Sequence, residues 1–322
     1  MKAALYDRNG PADEVLRVTD VDTPEPGPGE VRVRITASAV NPTDWKARSG
    51  ATPMPMDGFQ VPNQDGVGVV DAVGEGVDPG KVGERAWLML AAYNNKWGTA
   101  AEYSVLDADR AIPLPDGISD ELGASLGVPA VTAAHCLGDR HNLAGRPVLV
   151  AGGAGAVGHY AIELAKHARA EVVTTVSSAE KGELARAAGA DLVVNYRDDD
   201  AVDQIKALTP TVDRVVEVAL GANMDLDLAL AAPNTVITTY AGGADDPAIP
   251  VRRLMASNAT LHFVLLYLVP PQEIAAAVRW VSDALRDDAL SELPVQRFGL
   301  DETAAAHDAV EHGAVGKVLI TP

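Results

Sequence analysis

The spacing of apolar positions divides this chain into stretches of two kinds. In the first, Val31, Val33 and Ile35 alternate with Arg32 and Arg34, which predicts a strand with one face buried. Residues 2–6 read as a further strand, 67–73 as an apolar run beside Gly66 and Gly68, and 85–90 as a strand after a loop punctuated by Gly74, Gly76, Pro79, Gly80 and Gly83. Short strands between Gly/Pro turns predict a small β-barrel-like domain over residues 1–122.

Further on, the alternation gives way to continuous apolar runs. Residues 148–151 are wholly apolar, as in the middle of a parallel sheet covered on both faces. Similar runs at 171–176, 192–196, 214–218, 235–240 and 259–266 are separated by helical stretches at 179–188, 199–208 and 221–231. Six strands with helical crossovers predict an α/β fold, a doubly wound six-stranded parallel sheet over residues 123–266. Residues 271–285 predict a helix, and strand-like segments run on to 317–321. Holding no further strand-helix unit of this kind, residues 267–322 are assigned back to the first domain.

The chemistry begins at the first strand-to-helix junction. Gly153, Gly155 and Gly158 form G-x-G-x-x-G, expected to supply in turn a tight turn, a close backbone approach to a pyrophosphate and close packing of the helix. The helix N-terminus beyond it, with Ala156 and Val157, would face the phosphates. The end of the second strand selects the dinucleotide, because an acid there accepts from a ribose 2′-hydroxyl and repels a 2′-phosphate. Here stand Ser177, Ser178 and Lys181 instead, with Tyr196 in reach from the third strand, a pattern that favours NADPH. The same serines are also good helix caps.

Composition narrows the remaining classes. The 322 residues carry a formal charge of −19, which repels nucleic acid and anionic membrane, and no basic run appears. The opening MKAALYDRNG lacks a signal pattern, and the aliphatic run near 261–269 is too short to span a bilayer, so a soluble cytoplasmic protein is expected. The single cysteine, Cys136, excludes intramolecular disulfides and reads as a small core residue. The seven histidines are scattered without ligand spacing. Asn41-Pro42-Thr43-Asp44-Trp45-Lys46 reads as a turn opening a helix capped by Thr43 or Asp44, with polar groups suited to line a cleft.

Taken in order, MKAALY, PGPGEVRVRI, AVNPTDWKARSG, DGVGVVDAVGEGV, LGVPAVTAAH, AGGAGAVG and GKVLI resemble the quinone oxidoreductase (zeta-crystallin-like) branch of the medium-chain dehydrogenase/reductase superfamily. The resemblance implies a GroES-like substrate domain, a Rossmann domain with a cleft between them, NADPH as cofactor, a homodimer or homotetramer, and reduction of quinones or activated enones. It puts Asn41, Asp44, Lys46 and Thr132 near the nicotinamide, and Gly155, Ala156, Val157, Ser177, Ser178, Lys181 and Tyr196 on the rest of the cofactor. Tyr240, Ala241, Gly242, Leu265, Leu266 and, in the closing GKVLI, Lys317 complete that set. Asn41, Lys46 and Tyr93 are the candidates for assisting the reaction, with Tyr93, Asn94 and Trp97 in a loop that shapes the acceptor pocket. Where zinc enzymes of the superfamily carry a Cys ligand this chain has Asn41, and where they carry Gly-His-Glu it has Asn63-Gln64-Asp65, so a metal-free reaction is expected. The alternatives are reduction of a 2-alkenal, enone or enoyl thioester, and an NADPH-binding sensor or structural protein with little turnover.

Overall fold

The computed structural model describes residues 1–243 and 246–322 and resolves into two compact units, Met1–Val128 with Glu292–Pro322, and Pro129–Ser291. These boundaries differ from those expected from sequence, because the helix Pro271–Arg286 belongs with the second unit. It buries Ala277, Trp280, Val281, Ala284 and Leu285, an apolar stripe at helical spacing that packs on the helix Ala156–His167.

The first unit is built on a mixed sheet of seven strands in the spatial order Val295–Gly299, Lys317–Thr321, Glu30–Val40, Asp65–Val73, Arg85–Leu88, Ala111–Pro113, with Tyr103–Asp107 pairing against Glu30–Val40. Lys2–Leu5 forms a separate antiparallel pair with Arg17–Asp20. The long strand Glu30–Val40 carries the expected alternation, with Val31, Val33 and Ile35 buried in one cluster with Val70, Leu88 and Leu106. Its far end sets Val40 against Val318 of the closing strand, which brings the turn at Asn41 beside Lys317.

In the second unit six parallel strands lie in the order Leu192–Asn195, Glu171–Val176, Pro147–Ala151, Val212–Glu217, Ala231–Thr239, Thr260–Phe263. This is the doubly wound order, whose reversal beside the first strand opens a crevice at the carboxyl ends. Leu149, Val173, Val194, Val215 and Ile237 are buried from one strand to the next, as wholly apolar runs require. The last strand is shorter than expected from sequence: after Phe263 the chain turns into a 3-10 turn at Leu266–Leu268. Among the described residues no helix is long and apolar enough to cross a membrane.

Candidate functional site

The glycine turn has a division of labour slightly different from the expected one. The left-handed residue is Gly152, at φ 72°, one position before the motif. Gly153 is required for a different reason: a Cβ there would stand 2.2 Å from Thr174 Oγ1, a hydroxyl already donating to Val150 O at 2.7 Å. At Gly158 a Cβ would meet Gly152 O at 2.3 Å, so the helix Ala156–His167 sits against the turn only because that residue lacks a side chain. Gly155 differs again. A Cβ there would find nothing closer than Gly152 O at 3.4 Å, which leaves the helix cap open on its outer side. The turn therefore offers backbone N–H groups and a helix dipole to an anion, and fits a pyrophosphate.

The loop after the second strand fits a second phosphate. Ser178 is the N-cap of the helix Ala179–Ala187, its hydroxyl accepting from Lys181 N at 3.3 Å. Tyr196 N donates to Val176 O at 3.1 Å, which brings Tyr196 alongside the residue preceding Ser177. Tyr196 is 44% exposed, and the Arg197 guanidinium lies 5.7 Å from its ring centre. Arg197 was missed in the sequence, since only the pairing of two strand ends identifies it as a neighbour of Ser177 and Ser178.

In the first unit the segment around Asn41 is a buried polar cluster rather than an open loop. The helix Pro42–Ser49 is capped by Asn41, not by Thr43 or Asp44: Asp44 instead reaches back, accepting from Asn41 N at 2.7 Å and from Gln64 N at 3.1 Å. The Asn41 amide donates to Asp65 Oδ2 at 2.7 Å and accepts from Lys317 Nζ at 2.8 Å. The donor-only ammonium and the acceptor-only carboxylate fix which way the amide points. Asp65 also accepts from Val128 N, at 2.9 Å and 2.8 Å to its two oxygens. Asn41, Asp44, Asp65 and Lys317 are all 3% exposed or less.

Burial dominates the charges of this cluster. It pushes the Asp44 carboxyl up to about 8, with two backbone donors pulling back and the Asp65 charge pushing further. Burial also raises Asp65, to about 6, against the pull of Lys317 and Asn41. The Lys317 ammonium is lowered by the same desolvation and held up by Asp65 and Asp44. Among the described residues no group of three or more His, Cys, Asp or Glu side chains could hold a metal ion.

The other predicted residues are placed as follows. Lys46 lies on the helix Pro42–Ser49 with its Nζ 5.7 Å from the Trp45 ring centre. The carbonyl of Tyr93 accepts from Arg110 at 3.0 Å, and Trp97 packs edge-on against Phe59 at 5.5 Å. Thr132 is buried within the helix Asp120–Leu137. Tyr240 N donates to Glu217 O at 3.2 Å, carrying Ala241 and Gly242 past the end of the fifth strand. Leu266 is buried and Leu265 is 53% exposed. A feature not anticipated from sequence lies at the carboxyl end of the fourth strand. There Glu217, accepting from Ala219 N and Asn223 Nδ2, is buried against Asp227, whose carboxyl is raised to about 9 by burial and by the Glu217 charge and hydrogen bond.

Residues 27–116 match the family model for alcohol dehydrogenase GroES-like domains, and residues 156–283 match that for zinc-binding dehydrogenases. A quinone oxidoreductase of Pseudomonas aeruginosa is 30% identical over 96% of this chain and 96% of its own length. A 2-haloacrylate reductase of a Burkholderia species is 29% identical over 100% of this chain and 99% of its own. A mycobacterial structure complexed with NADPH superposes with a TM-score of 0.85 at 28% identity, covering 100% of both chains.

Proposed function

The chain belongs to the quinone oxidoreductase branch of the medium-chain dehydrogenase/reductase superfamily, and from that premise we propose that it is an NADPH-dependent reductase of a quinone or similar conjugated carbonyl, working without a catalytic metal. The observation that carries the proposal is the pair of anion-binding features in the second unit, the open cap at Gly155 and the turn of Ser177, Ser178 and Lys181, where serines rather than an acid follow the second strand. The mycobacterial NADPH complex supports the choice of cofactor. When bound, the cofactor supplies the hydride.

The chain's own residues then have modest tasks. The amides at Gly155, Ala156 and Val157 hold the pyrophosphate, and Lys181 with the Ser177 hydroxyl takes the 2′-phosphate, Arg197 adding a second cation. Asn41 has one amide N–H beyond that given to Asp65, and it orients a ligand oxygen from a position fixed by Lys317. Metal-free chemistry is supported by the donor set: an amide at Asn41 and amides at Asn63 and Gln64 are poor ligands for zinc, which prefers thiolate and imidazole. A quinone needs little proton chemistry, because its reduced oxygens are weakly basic. The similarity to a 2-haloacrylate reductase favours one further reading, reduction of an activated carbon–carbon double bond. There Lys46 and Tyr93 are the candidate proton donors.

The proposal includes a homodimer. Among the described residues the edge strand Thr260–Phe263 pairs on one side only, and Phe263, Leu265, Leu268 and Met255 are each more than half exposed around it. Burying that apolar edge against a second copy across a two-fold axis removes an aggregation hazard. Light scattering that finds only 33.5 kDa particles overturns it.

Steady-state rates with NADPH and NADH across 1,4-benzoquinone, a 2-alkenal and a 2-enoyl thioester test the activity. NADPH oxidation with benzoquinone as best acceptor is expected; turnover of the thioester alone rules out the quinone reading, and tight NADPH binding with no acceptor-dependent oxidation supports a sensor.

A further inference from the structure

A cavity of about 650 Å³ in the second unit lies against the sheet at Arg214, Val236 and His262, between the helices Asp120–Leu137 and Pro271–Arg286. Strand register separates it from the glycine turn: Arg214, which lines it, pairs with Val148, near the start of the strand whose other end leads into Gly152 and Gly153. Its volume suits a small molecule of ordinary ligand size.

Arg214 is an anomaly in its strand. Its neighbours on either side are Val148 and Val236, and a central strand of a covered parallel sheet is otherwise apolar. A guanidinium has five N–H donors, and among the described residues this one makes a single hydrogen bond, from Nη1 to Cys136 O at 3.1 Å. Among the described residues no carboxylate neutralises it. Desolvation lowers its pKa, and the Arg146 charge adds to the strain of holding a cation there. Gly138, at φ 72°, keeps the space beside it clear, since a Cβ there would stand 3.3 Å from Nη2.

The acids on the cavity wall are otherwise engaged. Asp283 is held by Arg140 at 2.7 Å, and Asp139 by the His141 amide at 3.0 Å. Glu273 stands 3.7 Å from His135 Nδ1, at the rim. A second guanidinium, Arg279, lines the cavity and makes no ion pair among the described residues. The buried Trp280 indole, with Ala134, Ala277 and Val236, lines the same cavity as apolar surface. A half-buried cation with no carboxylate beside it among the described residues is a ready anchor for a ligand's negative group.

We propose that this cavity is a second ligand site, distinct from the dinucleotide turn, that binds a small molecule carrying a phosphate or carboxylate on an apolar body, with Arg214 as the inner anchor and Arg279 at the rim. The proposal stands independently of which acceptor is reduced.

Calorimetric titration with inorganic phosphate, pyrophosphate and citrate, against sodium chloride of matched ionic strength, tests it on the whole protein with and without saturating NADPH. Saturable binding of at least one anion is expected to persist with NADPH present. Arg214→Gln is expected to weaken it at least tenfold and Arg279→Gln about threefold, both leaving NADPH affinity unchanged. Anion binding that disappears when NADPH saturates the protein assigns the anion to the glycine turn and overturns the proposal, as does equal binding by wild type and both variants. Should Arg214→Gln fail to fold, Arg279→Gln and quenching of Trp280 fluorescence by the anion decide the question. Failure of NADPH to bind at all would sink the dinucleotide reading, while leaving the anion titration interpretable.

Discussion

Lys317 Nζ lies 2.8 Å from Asn41 Oδ1, both residues 2% exposed, so that the last strand of the chain holds the amide at the end of Glu30–Val40. The same amide donates to Asp65, and a buried positive charge thereby communicates with a buried negative one through a neutral group. Two charges in this setting are worth little together and a great deal apart.

Lys317→Met is expected to destabilise the protein by about 2–4 kcal/mol, since it leaves the Asn41 carbonyl unsatisfied and the Asp65 charge uncompensated. Asp65→Asn in the same chain should recover part of that loss. Urea denaturation of the two single variants and the double variant checks the coupling: strictly additive losses would show that the charges do not communicate.

Gly155→Ala and Gly158→Ala should separate binding from folding. The first adds a methyl into open space and is expected to cost less than about 1 kcal/mol of stability while weakening NADPH at least tenfold by blocking the phosphate's approach. The second drives a methyl into the Gly152 carbonyl, 2.3 Å away, and should destabilise by more than about 2 kcal/mol. Melting curves read beside a fluorescence titration distinguish the two outcomes. Equal effects on both measurements would contradict the assignment.

Lys181→Ala is expected to weaken NADPH about tenfold, the scale of one charge-assisted hydrogen bond of roughly 1.5 kcal/mol, and to leave NADH affinity unchanged. Parallel titrations with the two cofactors supply the test, and an equal loss for both would remove Lys181 from the 2′-phosphate site.

Much of the fold was legible because its signals are local. Wholly apolar runs and glycine spacing identified the parallel sheet, and Val31, Val33 and Ile35 identified the half-buried strand. The boundaries blurred where tertiary packing decides: Asn41 became the helix cap because Asp44 turns back to it, and the helix Pro271–Arg286 joined the second unit through its apolar stripe. Lys317 was expected on the cofactor, and its ammonium donates to Asn41, a partner 276 residues away that no local pattern reveals. Arg197, Arg214 and the Glu217–Asp227 pair were invisible for the same reason, since strand register and burial give them their meaning.

Cys136 is fully buried, and burial pushes its thiol up to about 12. A thiol so placed has almost no thiolate at neutral pH, so it should react with an aromatic disulfide reagent only as fast as the protein opens. The reaction rate is expected to rise steeply through the urea transition. Rapid labelling of the native protein would show that the segment around Cys136 opens on its own.

The Glu217–Asp227 pair makes stability depend on pH in a direction opposite to that of most carboxylates. Burial raises Glu217 as well as Asp227, the latter to about 9 against an ordinary value near 4, so the folded pair keeps one proton across the neutral range. A carboxyl raised by folding gives its full contribution below the ordinary value and loses it as pH climbs towards 9. Asp227→Asn should donate to Glu217 as the protonated acid does, without titrating. Its stability relative to wild type is therefore expected to grow from pH 5 to pH 9, by no more than about 1.4 kcal/mol per pH unit, the limit for one proton. Calorimetric melting of the two proteins over that range is the check, and parallel profiles would mean that the pair holds no shared proton.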